Sequence, residues 1–81
     1  MNLENRKILV TGGTSGIGQK VVGTLLNKGA FVYINYKDNE DNREVTDQLL
    51  KRFEGKYMFL KADVSNEKEE FENKIREIIK D

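Results

Sequence analysis

The sequence predicts an α/β fold in which three strands of one parallel sheet alternate with three helices. Two observations carry that prediction. Short apolar runs alternate with longer segments whose apolar residues recur at helical spacing. The connections between them are short, punctuated by glycine and free of proline. A β-α-β-α-β-α order of this kind calls for parallel strands joined by helical crossovers.

The elements follow in order. Lys7-Ile8-Leu9-Val10-Thr11, bounded by Gly12-Gly13, reads as a strand buried on both faces. Ile17, Val21, Val22, Leu25 and Leu26 form a helical stripe that Asn27-Lys28-Gly29 ends. Phe31-Val32-Tyr33-Ile34-Asn35 is β-branched and aromatic, a second strand. Lys37 to Asn42 is polar and turn-like, and Val45, Leu49, Leu50 and Phe53 make a second stripe closed by Gly55. Tyr57-Met58-Phe59-Leu60 is the third strand. Ser65 is placed to cap a third helix bearing Phe71, Ile75, Ile78 and Ile79. Right-handed crossovers put the first two helices on one sheet face and leave the other to the third. The expected fold is therefore a (βα)3 half of a doubly wound, Rossmann-like parallel sheet with strand order 3-2-1. Residues 1–81 form a single half-domain.

Composition narrows the chemistry. Fourteen Lys and Arg balance fourteen Asp and Glu, and no basic stripe accompanies the strand aromatics, which speaks against nucleic-acid binding. With no Cys and no His, thiolate catalysis, Ser-His-Asp triads and Cys/His metal sites are excluded. No apolar window suits a signal peptide or a membrane helix, so the expected location is cytoplasmic, without membrane association. Charged residues are 35% of the chain, above the usual share of about 25%, so a chain of this length buries only a modest core.

The informative segment is Thr11-Gly12-Gly13-Thr14-Ser15-Gly16-Ile17-Gly18, between the first strand and first helix. Backbone N–H groups and the helix dipole can receive a pyrophosphate there. Gly12 permits the tight turn, Gly16 lets the backbone approach phosphates, and Gly18 lets the helix pack closely. A P-loop would need Lys then Ser or Thr after Gly18, where Gln19-Lys20 stands, and G-x-G-x-x-G fails because Thr14 takes the place of the second glycine. What fits is T-G-x-x-x-G-x-G.

This motif resembles the N-terminal cofactor motif of the short-chain dehydrogenase/reductase family, oxidoreductases that use NAD or NADP. Ala62-Asp63-Val64, after the third strand, resembles the family's element beside the adenine ring, and Asn35-Tyr36 is similar to the β-ketoacyl carrier-protein reductase branch. The resemblance implies that Gly12, Thr14, Ser15, Gly16, Ile17 and Gly18 hold the pyrophosphate. It implies that Asp63 accepts from the adenine amino group and that the Val64 N–H meets a ring nitrogen. Tyr36 and Lys37 fall at the ribose end. Tyr36 stands where NAD-binding members place an acid, and Lys37 can pair with a 2′-phosphate, so NADP(H) is favoured over NAD(H). Ser15 departs from the Arg or Lys that many NADP-preferring members carry at its position. The competing readings are structural: a tight connection for the turn, a helix-terminal carboxylate for Asp63 and a solvated lysine for Lys37.

The likeness covers all 81 residues but about the first third of a usual member. The Asn-Asn-Ala-Gly turn, catalytic Ser and helical Tyr-x-x-x-Lys pair of the family are missing. Tyr57 and Lys61 have that spacing, but on a strand it separates them by about 13 Å. No catalytic residue is therefore expected, and the chain reads as a truncated cofactor-binding portion, inactive alone. The alternative is a structural module without cofactor binding that forms a homodimer through the open edge of the first strand.

Overall fold

A computed structural model describes residues 2–63 and 68–79 of the chain. Strands β1 (Lys7–Val10), β2 (Phe31–Tyr36) and β3 (Tyr57–Lys61) form one sheet in the order β1-β2-β3, all parallel. This is the expected 3-2-1 arrangement. Lys7 stands opposite Phe31 and Val10 opposite Ile34, while Val32 meets Tyr57 and Tyr36 meets Lys61. The central strand fixes the core, because among the described residues only β2 has a neighbouring strand on each side: Val32 and Ile34 are wholly buried. Ile8, Leu9 and Val10 of β1 are half-buried, so burial on both faces, expected from their unbroken apolar run, is not reached.

Helix α1 (Gly16–Asn27) is capped by Ser15, whose Oγ accepts from the Gly18 N–H at 3.1 Å. Its end is set by Gly29 at φ 96, with Gly29 and Ala30 donating to the Leu26 and Leu25 carbonyls. Gly18, Val22 and Leu26, one per turn, face the sheet. Ile17 and Val21 of the expected stripe are exposed instead, Ile17 at 82%, because they fall about 100° to the side of that row.

Helix α2 (Glu40–Leu49) starts inside the segment read as a turn, with the Asn39 side chain accepting from the Asn42 N–H at 2.9 Å. It ends earlier than expected and passes into a 3-10 turn at Lys51–Phe53. Its buried face is also displaced. Leu50 and Phe53 of the expected stripe reach the core, but Val45 and Leu49 are exposed and Thr46 is buried in their place. Polar contacts explain the shift. Arg43 lies over the Phe59 ring at 5.5 Å, Thr46 meets Gln19, and the Tyr57 hydroxyl donates to Asp47 Oδ1 at 2.7 Å.

Leu50 joins Val22, Leu26, Val32 and Ile34 in the core, which places α1 and α2 on one face of the sheet. Helix α3 (Lys68–Ile79) lies on the other, where Ile75 lines a shallow cleft with Leu9. The Ser65 cap and the Val64 contact fall outside the described residues, as do the side chains of Phe71, Ile78 and Ile79. Among the described residues, no helix is long and apolar enough to cross a membrane.

The Tyr57–Asp47 bond gives the fold a measurable alkaline limit. Burial, then the hydrogen bond to Asp47 and its charge, push the phenol from 10.0 up to about 12. A raised folded value means that the contact's contribution is whole below the unfolded value and lost as pH rises through the folded one. Stability is therefore expected to decline between pH 10 and 12. Tyr57→Phe should flatten that decline in urea titrations and lower stability at neutral pH by about 1 kcal/mol.

Candidate functional site

The glycine-rich turn lies at the C-terminal end of β1, held from three directions. Gly12 sits at φ 65, a left-handed conformation that suits glycine. The Gly13 N–H donates to the Asn35 carbonyl at 3.0 Å, tying the turn to β2. Ser15 closes the loop: its N–H and Oγ both donate to the Gly12 carbonyl, at 3.1 and 2.8 Å. Ser15 Oγ then receives the Gly18 N–H, and the Ser15 carbonyl receives the Gln19 N–H at 2.7 Å.

That leaves Gly16 and Ile17, whose N–H groups open the helix and have no acceptor within it. The two remaining glycines of the motif have opposite surroundings. A Cβ at Gly16 would meet nothing within 4 Å, whereas one at Gly18 would collide with the Gly12 carbonyl oxygen. Gly18 is needed for packing inside the turn, and Gly16 leaves open space beside two amides that have no partner among the described residues. Thr14 is nearly buried, and its carbonyl accepts from Gln19 Nε2 at 3.2 Å.

Beside the turn, Thr11, Gly12, Asn35, Lys37, Ala62 and Asp63 line an open cleft of about 310 Å³. The cleft brings Gly12, Lys37 and Asp63 together from three separate sequence regions. Lys37 Nζ lies 3.5 Å from Asp63 Oδ2, with the lysine side chain 65% exposed and the aspartate 12%. Lys37 thus stands in an ion pair with the very residue expected at the adenine.

Tyr36 points elsewhere. Its ring is buried edge-on to Phe59, and its hydroxyl donates to both Glu40 carboxylate oxygens, at 3.2 and 3.3 Å. Glu40 also holds Lys61 at 2.9 Å and Arg43 at 3.0 Å. The Lys61 hydrogen bond is the main reason that the Glu40 carboxyl lies below its usual range, and the same bond raises Lys61. Burial, then Glu40, raises the Tyr36 phenol. These groups close the far end of the β2–α2 connection.

The Tyr-x-x-x-Lys spacing at Tyr57 and Lys61 spans the length of β3, with the tyrosine on Asp47 and the lysine on Glu40. The same spacing recurs at Tyr33 and Lys37, where Tyr33 packs on Phe31 with ring centroids 5.1 Å apart. Neither pair is on a helix. Among the described residues, no group of three His, Cys, Asp or Glu could hold a metal ion.

Three residues of the site escape the sequence reading: Asn35, Gln19 and Thr46. Asn35 Nδ2 donates to the Leu60 and Ala62 carbonyls at 3.2 and 3.1 Å, fixing the strand end from which Asp63 projects. Its signal in the sequence is a polar amide inside an otherwise apolar strand.

A family model described as short chain dehydrogenase matches residues 6–81. The chain is 37% identical over 65 residues to the short-chain dehydrogenase/reductase homolog YusS of Bacillus subtilis, covering 80% of this chain and 60% of that protein. A structure from Bacillus thuringiensis described as a 3-oxoacyl-reductase superposes with TM-score 0.80 at 32% identity, covering 93% of this chain and 31% of that one. RhlG of Pseudomonas aeruginosa, solved as an active-site complex with NADP, superposes with TM-score 0.69 at 38% identity, covering 80% of this chain and 25% of that one. The chain therefore spans 60% of one relative's length and between a quarter and a third of the others. With its glycine turn, its three-stranded half-sheet and a family match over nearly all its residues, the chain belongs to the short-chain dehydrogenase family.

Proposed function

We propose that these 81 residues are the adenosine- and pyrophosphate-binding portion of an NADP(H)-dependent short-chain reductase, and that alone they transfer no hydride. The observation that carries the reading is the turn itself: two helix N-terminal amides without a partner among the described residues, beside the bare space at Gly16. A pyrophosphate fits that donor set, and Gly12, Ser15, Gly16 and Ile17 would hold it, with Thr14 and Gly18 shaping the turn. Asp63 would accept from the adenine amino group, and Val64 would supply its N–H beside it. The bound dinucleotide would contribute the hydride; these residues only bind and orient its adenosine end.

The preference for NADP(H) rests on Lys37 and on the lack of an acid at Tyr36. With Lys37 65% exposed and only 3.5 Å from Asp63, its ammonium can bridge that carboxylate and a 2′-phosphate. RhlG, which is solved with NADP, supports the same choice. Calorimetric titration is expected to show NADPH binding more tightly than NADH, and Lys37→Ala should narrow the preference by about tenfold, or 1.4 kcal/mol. No heat at millimolar cofactor from a chain that is folded by circular dichroism would sink the reading.

One observation favours a second role. Among the described residues β1 pairs with β2 on one side only, so its other edge offers free backbone groups to a second copy. Pairing through that edge would give a homodimer whose dissociation is coupled to unfolding. Sedimentation at micromolar concentration separates it from a folded monomer.

A further inference from the structure

The glycine turn is braced from outside by a side chain that plays no part in the T-G-x-x-x-G-x-G pattern. Gln19 Nε2 donates to two acceptors at once, the Thr14 carbonyl at 3.2 Å and Thr46 Oγ1 at 2.7 Å. Thr46 is wholly buried, and its own hydroxyl proton goes to the Asn42 carbonyl at 2.7 Å. The hydroxyl's donor is thereby committed within α2, and its lone pair is left for Gln19. The result is a continuous chain of hydrogen bonds in which Gln19 donates both ways, to the Thr14 carbonyl on one side and through Thr46 to the Asn42 carbonyl on the other.

We infer that Gln19 is a positioning residue for the pyrophosphate turn; the inference rests on the nucleotide-binding reading above. The Thr14–Ser15 peptide is gripped on both sides, its carbonyl by Gln19 and its N–H by the Gly12 carbonyl at 3.1 Å. A peptide plane held at both ends cannot rotate. The next two N–H groups in the chain are those of Gly16 and Ile17, so the grip sets where they point. The other end of the strut is α2, whose start follows the loop bearing Lys37. Gln19 therefore fixes the pyrophosphate turn relative to the ribose end of the site. An amide suits the task because one nitrogen supplies two donors without charge.

Gln19→Met keeps the length of the side chain and removes both donors. The 81-residue chain is titrated with ADP, which has a pyrophosphate, and with adenosine 2′-phosphate, which has none. Gln19→Met is expected to weaken ADP by about tenfold and leave adenosine 2′-phosphate within about twofold. In the free protein, the Ser15 amide should exchange its hydrogen faster. Thr46→Val keeps the volume, removes the acceptor and should weaken ADP in the same direction, which serves if Gln19→Met fails to fold. The double variant should bind ADP no worse than Gln19→Met. Equal weakening of both ligands, or ADP binding unchanged in both single variants, overturns the inference. A folded wild-type chain that binds neither ligand overturns the nucleotide reading itself, with this role.

Discussion

Gly18→Ala is expected to break the turn, whereas Gly16→Ala should leave the fold intact and cost nucleotide affinity. The two glycines lie two residues apart in one motif, and their surroundings set opposite outcomes. A methyl group at residue 18 would strike the Gly12 carbonyl oxygen and lie 2.9 Å from Gly13 Cα. Both are backbone atoms of a loop already tied to Asn35 and Ser15, so neither can swing aside. Overpacking of this kind costs about 1–3 kcal/mol. A small half-domain has little stability in reserve, so the urea midpoint should fall steeply or the chain should unfold.

Gly16 is the first residue of α1, with nothing within 4 Å of a Cβ there. Alanine at a helical position without a clash restricts the unfolded chain and gains about 0.4–1 kcal/mol, so the urea midpoint should hold or rise. The same methyl would occupy the space beside the Gly16 and Ile17 amides, and NADPH affinity should fall by about tenfold or more. A Gly16→Ala chain that binds NADPH like the wild type would place the phosphates elsewhere. A Gly18→Ala chain of unchanged stability would refute the packing of α1 on the turn.

The contrast shows what the sequence made legible. Strand runs at Ile8, Val32 and Tyr57 and the glycine spacing carried enough local information to place the sheet order and the turn. Helix α2 was legible as a helix whose end reaches the core at Leu50, with Phe53 beyond it, but the buried face of its body was not. Its sheet-facing side is built from Arg43, Thr46 and Asp47, whose contacts with Phe59, Gln19 and Tyr57 replace apolar burial. A hydrophobic stripe therefore points to Val45 and Leu49, which are exposed. The ion pair of Lys37 with Asp63 was likewise hidden, because the 25 positions between them close only through the β2–β3 register. Tyr36 was legible as the end of β2 but not in its contacts, because a strand's alternation turns its side chain to the α2 face with Ile34, where its hydroxyl meets Glu40.

Asn35→Asp should be the most disruptive isosteric change in the site, and its penalty should depend on pH. Asn35 is only 4% exposed, and its Nδ2 faces the Leu60 and Ala62 carbonyls at 3.2 and 3.1 Å. A carboxylate in the same place turns two donors into acceptors aimed at acceptors, and buries a charge. Setting that charge against the two carbonyl oxygens is expected to cost about 3 kcal/mol or more at neutral pH. Burial and the facing carbonyls disfavour the charged form, so the introduced carboxyl titrates higher in the folded chain than in the unfolded one. The unfolded state then loses its proton first, and stability relative to the wild type falls as pH rises from about 4. Below that range a neutral acid can donate to one of the two carbonyls, and part of the loss returns. Because Asn35 fixes the strand end that carries Asp63, nucleotide affinity should fall even under conditions where the variant remains folded. Urea titrations of both proteins at pH 4.5 and 7.5 measure the difference. A gap that does not widen with pH would mean that the side chain at position 35 does not face those carbonyls, and the strand end that carries Asp63 would need another anchor.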